Sequence, residues 1–366
     1  VTSQYYGFVV PAVNDYLRYM NWASLPSEKI SGYGSGPTVM YDNEKYRMWY
    51  MGVYPGRNKT SLQFDTIWYT ESSDGFHNWT PSTVALLPVS TPEVGDYFTA
   101  GDPTVVKAGN GLYYMYYTSL LCPGCNNGIY LAVSATGNPG EWHKWPLENG
   151  EGQTNPKPVI NSTLDIHKDP RFYGIGQASA VYVNSTFKIW FTYPYNNKGH
   201  TIAYSTSVDG VHFSEPLDII DCGNVSCTAM DIKYIPSLGI YFMLDSVGLI
   251  PMIPEYWSAS RDGIHWLPFD KTRTIATGNQ CNGLPGMSGN PDGTANTTLI
   301  AYYDSSEFYS DSSCNLWVLE PNVWLSKWNF AATTVQISPS IGTLVDDYFN
   351  EHPYSNQLPT LNTFDE

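Results

Sequence analysis

Three stretches of this chain place chemically different residues at one repeat position: Gly36 in GPTV, Asp102 in DPTV and Gln177 in QASAV. A carboxylate accepts a proton or holds a hydroxyl, whereas a Gln amide delivers no proton at ordinary pH and Gly has no side chain. Asp102 is therefore the first catalytic candidate. A fourth repeat offers Asp231 in MDIKYIPS nearby, and a fifth offers Gly286 to Asn290. Asp231 starts an inner strand and is the second candidate, although a structural Asp bound to Ca²⁺ or water reads equally well. Asp245 and Asp304 follow second strands, where surface-turn roles are expected.

The elements that must position these residues repeat along the chain. An aromatic second strand occurs as KYRMWYMGV from Lys45, GLYYMYYTS from Gly111, FKIWFTY from Phe187, GIYFMLDS from Gly239 and TLIAYYDSS from Thr298. Third strands with a following turn occur as TIWYTESSDGFHNW from Thr66, IAYSTSVDGVHF from Ile202 and YWSASRDGIHW from Tyr256. An altered copy starts at Ile129, and LWVLEPNVWLSKW from Leu316 reads as the fifth third strand without its Asp-Gly turn. Large aromatic and branched side chains on both faces suit a strand packed between neighbouring sheets. The Asp-Gly pairs are turn chemistry, with His212 and His265 structural by position, and Trp79, Phe213 and Trp266 expected to pack on the neighbouring sheet.

Five copies of a four-stranded antiparallel unit predict an all-β, five-bladed β-propeller in one domain. The blades are placed at about residues 34–89, 101–160, 174–220, 229–276 and 283–332, with a closing strand at 5–11 and a polar tail at 346–366. First strands line the axis of a propeller, so Asp102 and its equivalents should converge on one central pocket.

Composition narrows the partners. Aromatic residues make up 15% of the chain and charged residues only 14%, against about 25% charged in average proteins. A net charge of −16 with 18 Lys and Arg argues against nucleic acid as a partner. No apolar run reaches membrane-spanning length, so membrane insertion is not expected.

Six cysteines and six N-x-S/T sequons, at Asn58, Asn78, Asn161, Asn184, Asn224 and Asn296, suit a secreted, N-glycosylated protein in an oxidising exterior. Cys122 and Cys125 lie in CPGC, and Cys222 and Cys227 bound CGNVSC. Both spacings suit local loop bridges, which leaves Cys281 with Cys314, among fifteen formal pairings.

At the PxV, YxMWY and SxDGxxW repeats the chain resembles the five-bladed glycoside hydrolases of the arabinanase, xylosidase and fructosidase type. The resemblance implies a carboxylate at the inner position of each of the first three blades: a base or nucleophile, an orienting Asp and a general-acid Glu. Here Asp102 matches the second of these, while Gly36 and Gln177 depart from the first and third. HKDPRFYG is similar to the R-D-P signature of fructosidases, which makes Asp169 a further catalytic candidate and Arg171 a partner for a substrate hydroxyl. Tyr33, Tyr173 and Trp257 are candidates to stack on a sugar ring, and Gln177 and His167 to hydrogen-bond it.

Two readings follow. One is a secreted glycoside hydrolase-like protein that hydrolyses or recognises carbohydrate in the axial pocket, needs no organic cofactor and has room for a structural Ca²⁺ in the channel. The other is a non-catalytic glycan-binding or extracellular structural propeller that has lost its carboxylates. A six-bladed sialidase is disfavoured, since the six Arg include no apparent triad and Arg47 lies inside a second strand.

Overall fold

Strand-forming repeats close here into a ring of five sheets. The computed structural model describes residues 9–11, 34–53, 55, 65–91, 94–120, 127–148, 151–152, 155–161, 174–195, 199–222, 227–247, 255–269, 273–275, 282–305, 319–320, 323–324 and 329–354. Tyr33, His167, Asp169, Arg171, Tyr173, Cys122, Cys125, Cys281, Cys314, Asn58 and Asn224 lie outside the described residues.

Strand β1 (Val9–Pro11) precedes blade one, which comprises β2 (Gly34–Asp42), β3 (Lys45–Val53), β4 (Asp65–Ser72) and β5 (Thr83–Leu86). Blade two contains β6 (Gly101–Lys107), β7 (Tyr113–Ser119) and β8 (Gly128–Ser134), edged by β9 (His143–Lys144) and, beyond the small β10 (Leu147–Glu148) and β11 (Glu151–Gly152) hairpin, by β12 (Ile160–Asn161). Blade three is β13 (Gly176–Val183), β14 (Thr186–Tyr195), β15 (Gly199–Ser207) and β16 (Leu217–Asp221). Blade four is β17 (Cys227–Ile235), β18 (Ile240–Val247), β19 (Glu255–Ser260) and β20 (Thr274–Ile275).

Blade five corrects the repeat alignment. Its first two strands are β21 (Asn282–Gly289) and β22 (Thr298–Ser305), but its third is β25 (Asn329–Ile337), paired with β1 as the outer strand. Among the described residues the Leu316 stretch contributes the two-residue strands β23 (Leu319–Glu320) and β24 (Val323–Trp324), which pair with each other. Helix α1 (Ile341–Glu351) follows, so the segment read as a polar tail begins inside a helix. Ile341, Leu344 and Val345 bury its inner side against blades four and five, and Arg261 grips Asp346 through two hydrogen bonds of 2.8 and 2.6 Å.

Alternation along the second strands builds the ring. In β3, Met48 and Tyr50 turn to blade five, where they meet Tyr302 and Phe330, while Trp49 turns to blade two and meets Met115, Tyr117 and Trp142. Both faces are dry, which is why these strands carry few polar residues.

The Asp-Gly turns join each blade to the one before it. Asp74 Oδ1 accepts the N–H groups of Phe76 and His77 at 2.8 and 2.6 Å, while the Gly75 carbonyl accepts the Tyr302 hydroxyl of blade five at 2.9 Å. The same carbonyl in the later turns accepts Tyr116 OH at Gly210 and Trp190 Nε1 at Gly263. Trp79, Phe213 and Trp266 pack edge-on against Tyr302, Tyr116 and Trp190. His212 and His265 turn their Nδ1 atoms to Asp209 and Asp262 within these turns.

Candidate functional site

The first strands break register where they reach the axis. Blades one, two, three and five each place one residue there with a left-handed backbone: Gly36 (φ +58°), Asp102 (+43°), Gln177 (+50°) and Leu284 (+36°). Each lies in a bulge, between Ser35 and Thr38, Gly101 and Thr104, Gly176 and Ser179, or Gly283 and Gly286. An extra residue in one strand bends it and re-aims its side chains. Gly36, Asp102 and Gln177 therefore share one structural position. Blade five fills it with Leu284, two residues before the stretch that the sequence suggested.

Two residues further on, a second ring ties the blades together. Thr38 Oγ1 accepts the N–H of Val105 (3.4 Å), Thr104 Oγ1 that of Ala180 (3.1 Å), and Ser179 Oγ that of Ile232 (2.8 Å). Asp231 occupies this position in blade four, where its Oδ2 accepts the N–H of Met287 at 2.5 Å. Ser179 Oγ also donates to Asp231 Oδ1 at 3.0 Å, and Lys233 Nζ lies 2.8 Å from both oxygens. Asp231 is thus a blade-joining staple with donors from three blades, the structural role that its sequence position offered beside a catalytic one.

At the last seam the staple gives way to backbone. A Cβ on Gly286 would sit 2.0 Å from the Pro37 carbonyl oxygen, so only glycine permits β21 to run beside β2 in parallel. Opposite the cup, the turn after β21 closes the axis. Successive carbonyls of Pro291, Asp292 and Gly293 accept the N–H groups of Lys107, Tyr182 and Tyr234, from blades two, three and four.

Above this plug lies an open cup lined from all five blades, by Gly36, Asp102, Gln177, Met230, Asp231 and Pro285 among others. Asp102 leans over Gly36, where an added Cβ would lie 3.4 Å from Asp102 Oδ1 and 4.0 Å from Leu284 Cδ1. The Gln177 N–H donates to Thr118 Oγ1 at 2.9 Å. Prolines 37, 103 and 285 with Ala178 and Met230 supply apolar wall, and Thr38, Thr104 and Asp231 add polar groups to it. Trp257 is elsewhere: its strand is third from the axis, and its ring is buried against Phe242 at 5.9 Å, with the Arg273 guanidinium 5.8 Å away.

A Ca²⁺ ion takes six to eight oxygen ligands, several of them carboxylate. The described axial residues do not fit one. Asp231 is committed to Lys233, and no group of three or more His, Cys, Asp or Glu side chains is suitably placed among the described residues.

Two buried carboxyls escaped the sequence reading. Asp65 opens β4; Thr99 Oγ1 donates to its Oδ2 at 2.9 Å, while its Oδ1 is buried without a hydrogen-bond partner. Burial, with the nearby charge of Asp102, pushes its pKa up to about 8. Asp245, expected in a surface turn, lies inside β18 with both oxygens buried and unpartnered, and burial lifts it to about 8 as well. Blade register makes Tyr50, Tyr117, Phe191 and Tyr303 its equivalents. A polar residue in that aromatic column was the available signal; Asp65 offered none.

No protein-family model matches the sequence, and no curated protein does. Solved structures do match the fold. Zg3597, a family 117 glycoside hydrolase from Zobellia galactanivorans, aligns with a TM-score of 0.59 and 12% identity over 90% of each chain. The α-L-arabinofuranosidase PaAbf62A from Podospora anserina aligns at 0.60 and 10% identity, over 88% of this chain and 96% of its own. An N-acetylgalactosamine deacetylase from F. plautii aligns at 0.59 and 16% identity, over 96% and 100%. Strand topology and superposition together give this chain the five-bladed propeller fold of the family 117, 62 and 43 glycoside hydrolases.

Proposed function

We propose that the axial cup binds a carbohydrate and does not hydrolyse it by the two-carboxylate route. One observation carries this reading: of the four equivalent inner positions, only Asp102 bears a carboxylate, while Gly36, Gln177 and Leu284 hold the others and Asp231 is locked to Lys233. Glycoside hydrolysis uses one carboxyl to protonate the leaving oxygen and another to activate water or attack. Asp102 and Gln177 instead supply a charged acceptor and an amide, the polar pair that fixes a sugar against an apolar wall. The carbohydrate-acting neighbours support this choice of ligand.

The second reading, a hydrolase, is favoured by the retained Asp102 and by Asp169 and Arg171, which stand a few residues before β13 and lie outside the described residues. Calorimetry and a hydrolysis screen over polysaccharides and aryl glycosides, with wild type and Asp102→Asn, separate the two. We expect binding without turnover, weakened about tenfold by the substitution through loss of a charge-assisted hydrogen bond. Turnover abolished by Asp102→Asn would overturn the binding-only reading.

The carrier of this site is read as secreted, disulfide-bonded and N-glycosylated. Exposure of the sequon residues Asn78, Asn161, Asn184 and Asn296 supports the glycosylation. Endoglycosidase treatment of the natively produced protein should lower its apparent mass.

A further inference from the structure

Asp102 holds a left-handed backbone that a non-glycine residue adopts only when its surroundings impose it. The short strap from Phe98 to Gly101, which crosses from blade one to blade two, leads directly into this bulge. The strap is tied by Phe98 N–H to the Leu120 carbonyl, by Ser119 Oγ to the Thr99 carbonyl, and by Ala100 N–H to the Asp65 carbonyl at 3.2 Å. Thr99 Oγ1 also donates to Asp65 Oδ2 at 2.9 Å. Asp65 therefore supplies two ties from blade one, one through its backbone and one through its side chain.

We propose that Asp65 is the positioning residue of Asp102, holding the strap as a neutral acid from outside the cup. This inference rests on the reading of the cup as the functional site. Neutrality follows from geometry: Oδ1 is enclosed with no donor to meet it, and an ionised carboxylate with a single hydroxyl partner is costly to bury. Thr99 is the hydrogen-bonding group facing the carboxyl, and Asp102 is the charged group acting on it. Since Asp102 is the same sign, it opposes ionisation of Asp65 as burial does. Once pH rises past about 8, Asp65 ionises, and a second negative charge behind the cup wall repels the Asp102 carboxylate.

The test follows the Asp102 side-chain carboxyl by ¹³C NMR from pH 6 to 10 in the full chain, with Asp102→Asn assigning the signal. We expect an inflection near pH 8 in wild type, its disappearance in Asp65→Asn, and a displaced Asp102 signal at every pH in Thr99→Val, which removes the same tie from the other side. An Asp102 signal that is identical in wild type, Asp65→Asn and Thr99→Val across the range would overturn the proposal. No ligand enters this measurement, so its outcome stands apart from whether the cup binds carbohydrate.

Discussion

Asp231 and Met287 meet across the seam of blades four and five, where the carboxylate accepts a main-chain N–H at 2.5 Å while Lys233 neutralises it from its own strand. Blades one to three make the equivalent contact with a hydroxyl. Breaking a buried ion pair by deleting one member leaves the other charge stranded, at about 3–5 kcal/mol, whereas replacing both with fitted neutral groups is often harmless. Asp231→Ala should therefore destabilise the propeller by that amount in urea unfolding. The pair Asp231→Thr with Lys233→Met should recover most of it.

Stability should fall across the neutral range. Asp65 and Asp245 have folded pKa values raised to about 8 from 3.8, so between roughly pH 4 and 8 the folded chain holds protons that the unfolded chain releases. Each step up in pH then costs stability, and the loss levels off above pH 8. Asp74 works in the opposite sense, since backbone N–H groups and His77 hold it down to about 2. Its contribution is present above the unfolded pKa and lost as pH falls through 2. Thermal melts should peak in mild acid, and Asp245→Asn should raise the melting temperature far more at pH 9 than at pH 5.

Restoring carboxylates should restore chemistry. Gly36 has room for a side chain beside Asp102, and Asp102, Gln177 and Leu284 show that larger residues take its backbone conformation. The double substitution Gly36→Asp with Gln177→Glu would place three acids at one level of the cup. General acid–base groups contribute about 10²–10⁴-fold. Aryl-glycoside hydrolysis by the double variant should exceed that of the parent by at least about 10², and equal rates would show that the cup no longer aligns a glycosidic bond.

Helix α1 should depend on its apolar side more than on its ion pair. The Arg261–Asp346 pair is partly exposed, and such pairs contribute about 0.2–1 kcal/mol. Leu344→Ala removes a buried side chain from the core between blades four and five, a change that costs about 2–5 kcal/mol. A double-mutant cycle at Arg261 and Asp346, set beside Leu344→Ala, checks the ranking.

Much of this molecule could be read before it was seen, and the reasons are local. Aromatic second strands mark each blade because both faces are buried, and the PxV stretches put Gly36, Asp102 and Gln177 in register because the same bulge recurs. Blade five misled because NFAATTVQI carries few aromatics and no Asp-Gly turn, while LWVLEPNVWLSKW imitates a repeat. Asp231 stands one residue past the blade-four register shift between Thr228 and Met230, where it serves the staple ring and also borders the cup. Asp65 was invisible because its role depends on a strap from the next blade, a relation that no spacing within one repeat encodes.

The plug at Pro291 to Gly293 makes the axis a blind well rather than a tunnel. A polymer cannot thread through it. Whatever occupies the cup must arrive and depart by the same mouth. The far side of the ring, sealed by backbone hydrogen bonds, is then free to carry contacts that never compete with an occupant of the cup.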